Sequence, residues 1–404
     1  MIGSHPIASA WAPARLRARG LRRAWRAICA SFQAIGDRLF QLRNRVFSSP
    51  RFQRWAAWFP LTRPIARRRA AALFDLTAGF VYSQVLAAAV QMDLFEVLAS
   101  GPQTVAELAP KLAHSLPPSG LQRLLDAASA LDLIERRGED RYGLGIHGAS
   151  LLGNPAVARL IAHHALLYRD LSDPLALLSD PARDTELRRF WSYAQNGTPG
   201  ASSDEQVAAY SQLMAGSLAL LAQDILDAYP IDRHQLMLDV GGGEGAFIEL
   251  TAAQTSRVAL RLFDLPAVAA RAHRRLAQAG LLGRVSVVAG DMFRDPLPAG
   301  ADLVSLVRVL HDHDDAAVHA LLLAVRRALR PGGVLLVAEP MAGHADSQRA
   351  ANAYFGFYLL AMGQGRARTP SQLRDLLQAV GFARVRILRT RRPLLTGLLC
   401  AENA

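Results

Sequence analysis

The 404-residue chain has very little cysteine, almost no lysine and, over its first 74 residues, almost no acid. Cys29 and Cys400 are its only cysteines, too few for a disulfide framework, so a reducing cytosol is expected and cross-linked secreted scaffolds are excluded. Lys111 is the single lysine among 46 basic residues, a bias that reads as genome composition and not as a site. Residues 1–74 hold fifteen arginines and one acid, Asp37. They therefore carry +14 against a chain total of +12, and the remainder sums to −2. No uninterrupted apolar run approaches the ~18 residues that span a bilayer. Arg22, Arg23 and Arg26 break up any signal-peptide core. A cytoplasmic protein is expected, with its excess charge in one leader.

That leader, residues 1–69, divides in two. Up to about residue 20 it is rich in Pro, Ala and Arg. Beyond, Trp25, Ile28, Phe32, Ile35, Leu39, Leu42 and Val46 recur at spacings of three and four, one apolar stripe along a helix flanked by arginines. Ser48-Ser49-Pro50 stops the helix, and Phe52, Trp55, Trp58 and Phe59 follow. A basic helix with tryptophans suits the surface of an anionic membrane, peripheral on its cytoplasmic face. A dimer seam or packing within the chain would use the same stripe. No recognised nucleic-acid motif accompanies the charge.

Residues 70–152 predict one or two apolar helices (70–78, then 82–98), a capping box at Thr104 and Glu107, a longer helix opened by Ser119, and a hairpin over Ile134–Leu144 turning at Gly138-Glu139-Asp140. Helix, turn, helix, hairpin is a winged-helix pattern. Gln122, Arg123, Asp126 and Asp132 lie where a DNA-reading helix would avoid carboxylates, so structural or dimerising use is expected. Residues 153–230 read as helical, a linker that borders an acceptor pocket.

Residues 231–404 alternate strands with helices, the pattern of a parallel sheet with crossovers. Its organising stretch is Leu236-Met-Leu-Asp-Val-Gly-Gly-Gly-Glu-Gly-Ala-Phe247: a buried strand, a tight turn and a helix start. Glycine at Gly241 and Gly243 lets backbone approach a nucleotide-like ligand. The spacing also fits a relaxed dinucleotide fingerprint, with Asp264 placed for a ribose. Asp239 argues otherwise, because a carboxylate at that strand end repels a pyrophosphate and attracts an ammonium and a sulfonium, as in S-adenosylmethionine. Strands are expected at Leu236–Val240, Val258–Phe263, Val285–Ala289, Leu303–Val309 and Val334–Ala338, with Val385–Leu388 and Leu395–Cys400 as an antiparallel pair at the edge.

Ligands on such a sheet bind beyond the carboxyl ends of its strands, where the informative polar residues fall. Asp264 closes the second strand and is suited to two ribose hydroxyls, or to capping the helix after Pro266. Asp291 closes the third and could meet the adenine amino group, with Met292 and Phe293 on the ring faces. Arg308-Val-Leu-His-Asp-His-Asp-Asp315 closes the fourth. His311 is the expected general base, since imidazole titrates near neutrality, and Asp312 or Glu339 could orient it. The spacing of His311, His313 and Asp315 overlaps a metallohydrolase pattern, but Ala316 stands where a further ligand is wanted, so no metal is expected. Met214, Phe355, Tyr358 and Met362 are candidate apolar lining for an acceptor.

Together the glycine motif, Phe263-Asp-Leu-Pro266, Gly290-Asp-Met-Phe293, Leu310-His-Asp312 and Arg330-Pro-Gly-Gly-Val334 resemble the dimeric class of S-adenosylmethionine-dependent O-methyltransferases. The resemblance covers about residues 70–404. It implies a Rossmann-like, seven-stranded α/β sheet preceded by a helical winged-helix dimerisation domain, and a homodimer. It further implies Asp264 on the donor ribose, Asp291 on adenine, Arg308 near the methionine part and His311 as base. Plant members usually carry tryptophan where this chain has His313, and many have lysine near Arg308. Residues 49–64 and 74–84 resemble the carotenoid branch, the hydroxyneurosporene (demethylspheroidene) O-methyltransferases of phototrophic bacteria. That branch implies a lipophilic acceptor, the tertiary 1-hydroxyl of an acyclic carotenoid. Other acceptors in the wider family would be phenols, polyketides or bacteriochlorophyll precursors, and a non-catalytic winged-helix regulator is the reading of another class.

Overall fold

The computed structural model describes residues 32–180, 182–196, 218, 221–343, 349–392 and 396–404. Contacts divide the chain into residues 1–84 and 85–404.

In the first unit, α1 spans 32–48, and Ser49 caps α2 (Pro50–Trp58) by accepting the N–H of Phe52. Among the described residues the apolar stripe lies on α1, where Phe32, Ile35, Leu39 and Leu42 are all more than half exposed. Trp25 and Ile28 lie outside the described residues. α3 (Arg63–Gln91) settles the choice between one helix and two over residues 70–98 in favour of one main helix. It is one helix of 29 residues that begins before residue 70 and passes through Gly79, and only the short α4 (Leu94–Leu98) follows. By length and composition alone α3 could cross a bilayer, contrary to the expectation that no segment comes near that length.

The second unit begins within α3, includes α4, and continues with β1 (Gln103–Thr104), α5 (Val105–Leu108), α6 (Pro118–Ala130), β2 (Ile134–Arg136) and β3 (Arg141–Leu144). Thr104 and Glu107 form the expected capping box. β3 pairs with both β1 and β2, giving a three-stranded wing. On α6, Gln122 and Asp126 meet the hydroxyl of Tyr142 on β3, at 2.6 and 3.2 Å, and fasten the helix to the wing. These polar residues have a structural task. Helices α7 (Ile146–Leu152), α8 (Pro155–Asp170), α9 (Pro174–Ser179) and α10 (Glu186–Asn196) follow, then the described end of α11, residues 221–228.

β4 (Leu236–Val240), β5 (Ala259–Asp264), β6 (Val285–Ala289), β7 (Ala301–Val307), β8 (Leu329–Glu339), β9 (Phe382–Leu388) and β10 (Gly397–Asn403) form one sheet, in the order β6-β5-β4-β7-β8-β10-β9. β10 runs antiparallel to both neighbours, and the other pairings are parallel. Alternate residues face opposite layers. Leu238, Val240, Val304 and Leu306 pack against α14 (Asp315–Ala328) and α16 (Pro370–Ala379). Met237, Leu303 and Leu336 pack against α11, α12 (Ala246–Gln254) and α13 (Pro266–Gln278). From β4 the chain first builds outward to β5 and β6, then returns to the other side for β7 and β8. The reversal opens a crevice beyond the tips of β4 and β7. α15 (Phe355–Met362) belongs to a separate cluster with α8, α9 and α10.

Candidate active site

At the tip of β4 the backbone turns through Gly241 and Gly243, at φ +69° and +58°. Gly241 is needed twice over: a Cβ there would meet Val309 at 2.8 Å in a conformation that L residues avoid. Asp239, just before the turn, is buried. Its Oδ1 accepts the Ser305 hydroxyl at 2.5 Å, and its Oδ2 has no hydrogen-bond partner among the described residues. Burial, opposed by the Ser305 bond and reinforced by the charge of Asp264, pushes this carboxyl up to about 7. An orphaned buried carboxylate oxygen beneath a glycine turn suits a cationic ligand.

Asp264 ends β5 and holds the turn from the side. Its oxygens accept the N–H of Gly243 at 2.8 Å and of Leu265 at 2.7 Å, and burial pushes it up to about 6. The helix-cap expectation is not met: Leu265 is the N-cap of α13, and no side chain caps that helix. The Gly243 bond fixes the loop, and each carboxylate oxygen keeps a further acceptor lone pair. Asp291 follows β6 and accepts the N–H of Phe293 at 2.9 Å. Phe293, nearly half exposed, meets the ring of His313 edge-on at 4.9 Å. His313 thus joins the aromatic side of the crevice, next to Met292 and Phe293.

β7 stops two residues earlier than expected because Arg308 enters the left-handed region, at φ +58°. Such a conformation in a bulky residue is uncommon. It is held there by the Arg308 N–H on the Ala338 carbonyl, 2.8 Å, and it turns the chain into a 3-10 turn, Leu310–Asp312. His311 is buried on that turn between two carboxylates. Its Nδ1 lies 2.6 Å from Glu339 Oε2, and its Nε2 lies 3.1 Å from Asp312 Oδ1. Glu339 Oε1 accepts the N–H of Val309 and of Leu310. Burial works against the imidazolium, yet Asp312 and Glu339 outweigh it and hold His311 above the usual histidine range. Burial also raises Asp312.

The expected acceptor lining divides. Phe355 presents its ring edge-on to His311, 6.0 Å between centroids. Tyr358 is buried with its hydroxyl between Trp191 and His163. The indole N–H donates to it at 3.2 Å, and His163 Nε2 shares a hydrogen bond with it at 2.8 Å. Met362 is buried in the same helical cluster, and Met214 lies outside the described residues. Sequence reading missed His163, His164 and Tyr354, the last two paired at 2.8 Å. Burial, with a contribution from His164, takes His163 down to about 4, and burial also lowers His164, so both imidazoles are neutral. The available signal was the pair of adjacent histidines in an otherwise apolar helix. Among the described residues no group of three His, Cys, Asp or Glu side chains is placed to hold a metal ion.

This strand order, with a glycine turn after the central strand and acids on neighbouring tips, defines a Rossmann-like methyltransferase domain. Comparison narrows the class. The sequence profile of the O-methyltransferase domain matches residues 175–383, and that of the O-methyltransferase dimerisation domain matches 74–153. The chain is 43% identical to the demethylspheroidene O-methyltransferase of Cereibacter sphaeroides, over 90% of this chain and 95% of that one. It is 34% identical to the acetylserotonin O-methyltransferase of Mus musculus, over 80% and 86%. The crystal structure of human N-acetylserotonin methyltransferase in complex with SAM superposes with a TM-score of 0.69 at 25% identity, covering 83% of this chain and 98% of that one. The chain belongs to the O-methyltransferase family.

Proposed function

We propose that the protein transfers the methyl group of S-adenosylmethionine to the tertiary 1-hydroxyl of an acyclic carotenoid of the hydroxyneurosporene or demethylspheroidene type, as a homodimer. The 43% identity to a demethylspheroidene O-methyltransferase, across nearly the whole of both chains, is the observation that carries the acceptor. The matching dimerisation domain supports the homodimer. The donor's sulfonium supplies an electrophilic methyl. Asp239, with one oxygen unpartnered, and Asp264, beside Gly243, seat its cationic and ribose parts, while Asp291, Met292 and Phe293 receive the adenine and Arg308 the methionine end.

His311 holds the acceptor. As the hydroxyl oxygen forms its bond to the methyl carbon and the carbon–sulfur bond breaks, Nε2 takes the hydroxyl proton. The proton stays on Nε2, and Glu339 at Nδ1 and Asp312, 3.1 Å from Nε2, stabilise the resulting imidazolium. A tertiary alcohol ionises negligibly at neutral pH, so proton removal accompanies methyl transfer, and alignment with exclusion of water supplies much of the rate. Phe355, against the His311 ring, with Tyr358 and Met362 on the same helix, borders the acceptor side, and that helix offers an acceptor mostly apolar surface.

The leader fits a membrane-resident acceptor. Phe32, Ile35, Leu39, Leu42 and Trp58 are exposed among Arg38, Arg43, Arg51 and Arg54, which would place the protein peripherally on the cytoplasmic membrane face. The test is incubation with labelled methyl donor and extracted 1-hydroxycarotenoids beside simple phenols. Label is expected in the carotenoid; label in the phenols alone would reject the acceptor.

A further inference from the structure

Arg368, in the segment between α15 and α16, is a buried guanidinium 2% exposed. Its Nη1 donates to the carbonyl of Leu310 at 2.7 Å, and its Nη2 to the carbonyl of His313 at 2.7 Å. Those two carbonyls bracket the His311-Asp312 pair. The same guanidinium reaches Asp315 through Nε at 2.9 Å and Nη2 at 2.7 Å. Its main chain works on the other strand, because the Arg368 carbonyl accepts the N–H of Ala342, three residues beyond Glu339, at 3.0 Å. One residue therefore ties the turn that carries His311 to the strand end that carries Glu339.

The neighbouring chain supports this contact. Gly365, at φ +84°, lies so close to the turn that a Cβ would collide with the carbonyl oxygen of His311 and come within 3.0 Å of the Asp312 Cα. Its N–H donates to Asp314 at 3.2 Å. Backbone thus packs directly on backbone behind the imidazole, and no side chain between them can give way. A planar fork serves two carbonyls and a carboxylate together, which the point charge of a lysine cannot do.

We propose that Arg368 is the positioning residue of the His311–Glu339 pair: it fixes the turn so that Nδ1 stays on Glu339 and Nε2 stays beside Asp312, where it would take the acceptor's proton. This rests on His311 being the base. Arg368 contacts neither donor nor acceptor in this scheme, so its loss should act on kcat and on the protonation of His311, and leave donor binding alone.

The test compares Arg368→Lys, Asp315→Asn and His311→Ala in the full chain, each measured for melting temperature, donor Kd by calorimetry, acceptor KM, and kcat against pH. Arg368→Lys is expected to keep the donor Kd within about twofold and to lose kcat by about tenfold or more, since small misplacements of reacting groups are costly. Its acid limb should move to lower pH as His311 slips from Glu339. Asp315→Asn, altering a half-exposed side chain, should show a smaller change in the same direction. Wild-type kcat and an unmoved limb in a folded Arg368→Lys enzyme would overturn the proposal. If Arg368→Lys does not fold, an Asp315→Asn enzyme indistinguishable from wild type would overturn it in favour of a structural ion pair. Turnover retained by His311→Ala would instead remove the base assignment itself. An inactive His311→Ala beside a fully active Arg368→Lys would remove only the positioning role.

Discussion

Glu339 divides its two oxygens between His311 and the backbone that presents it. Oε2 lies 2.6 Å from Nδ1, while Oε1 accepts the N–H of Leu310 at 2.6 Å and of Val309 at 2.9 Å. An amide has one acceptor oxygen, so in Glu339→Gln either a backbone or ring donor is left unpaired, at about 1–3 kcal/mol, or the NH2 donates to Nδ1 and forces the ring proton onto Nε2, where it blocks the base. We expect the melting temperature to fall by a few degrees and kcat by about a hundredfold, with donor affinity nearly unchanged. Melting curves and a steady-state assay check this; a variant with full activity would deny Glu339 its part.

Asp312 bears on the pH dependence. The two carboxylates lift His311 against the effect of burial, and a base acts in its neutral form, so activity should rise with pH through a value above the usual histidine range. Removing one negative charge in Asp312→Asn lowers that value. The acid limb of kcat/KM should therefore move to lower pH; a limb that stays in place would show that another group controls it.

Asp239 sets donor binding against stability. Its carboxyl ordinarily titrates near 3.8 and is raised to about 7 in the folded protein. Between these values the folded state holds a proton that the unfolded chain has lost, so this group's contribution to stability falls as pH rises from about 4 to about 7. Asp239→Asn abolishes that loss. The variant should gain melting temperature over wild type at pH 8 and much less at pH 5, while binding the donor at least about tenfold more weakly. Equal donor affinity would mean that the free Oδ2 meets no cation.

The strand tips were legible because parallel strands buried on both faces read as short apolar runs that end in an acid. Asp239, Asp264 and Asp291 accordingly fell where the crevice lies, and Glu339 was already one of two partners considered for His311. Which of the two readings, one helix or two, holds over α3 was not legible. Gly79 looks like a break, but one glycine in a helix costs only about 1 kcal/mol, and the turns on both sides carry through it. Pairings across long sequence separations were equally hidden. Nothing near Arg368 in sequence points to Leu310, and nothing near His163 points to Tyr358. The end of β7 was misjudged because the apolar pattern runs on to Val309 while the backbone leaves strand geometry at Arg308.

The leader gives a prediction independent of catalysis. α1 exposes its apolar stripe between arginines, so removing residues 1–47 should reduce cosedimentation with vesicles containing anionic phosphatidylglycerol and leave donor binding intact. Unchanged cosedimentation would assign the stripe to the partner subunit instead.

The most direct measurement is a single turnover with His311→Ala, the labelled donor pre-bound and its affinity measured on the same sample. The account predicts donor affinity within about twofold of wild type and methyl transfer slowed by about 10² to 10⁴. Transfer at close to the wild-type rate, or donor affinity lost together with transfer, would contradict an imidazole that takes the acceptor's proton.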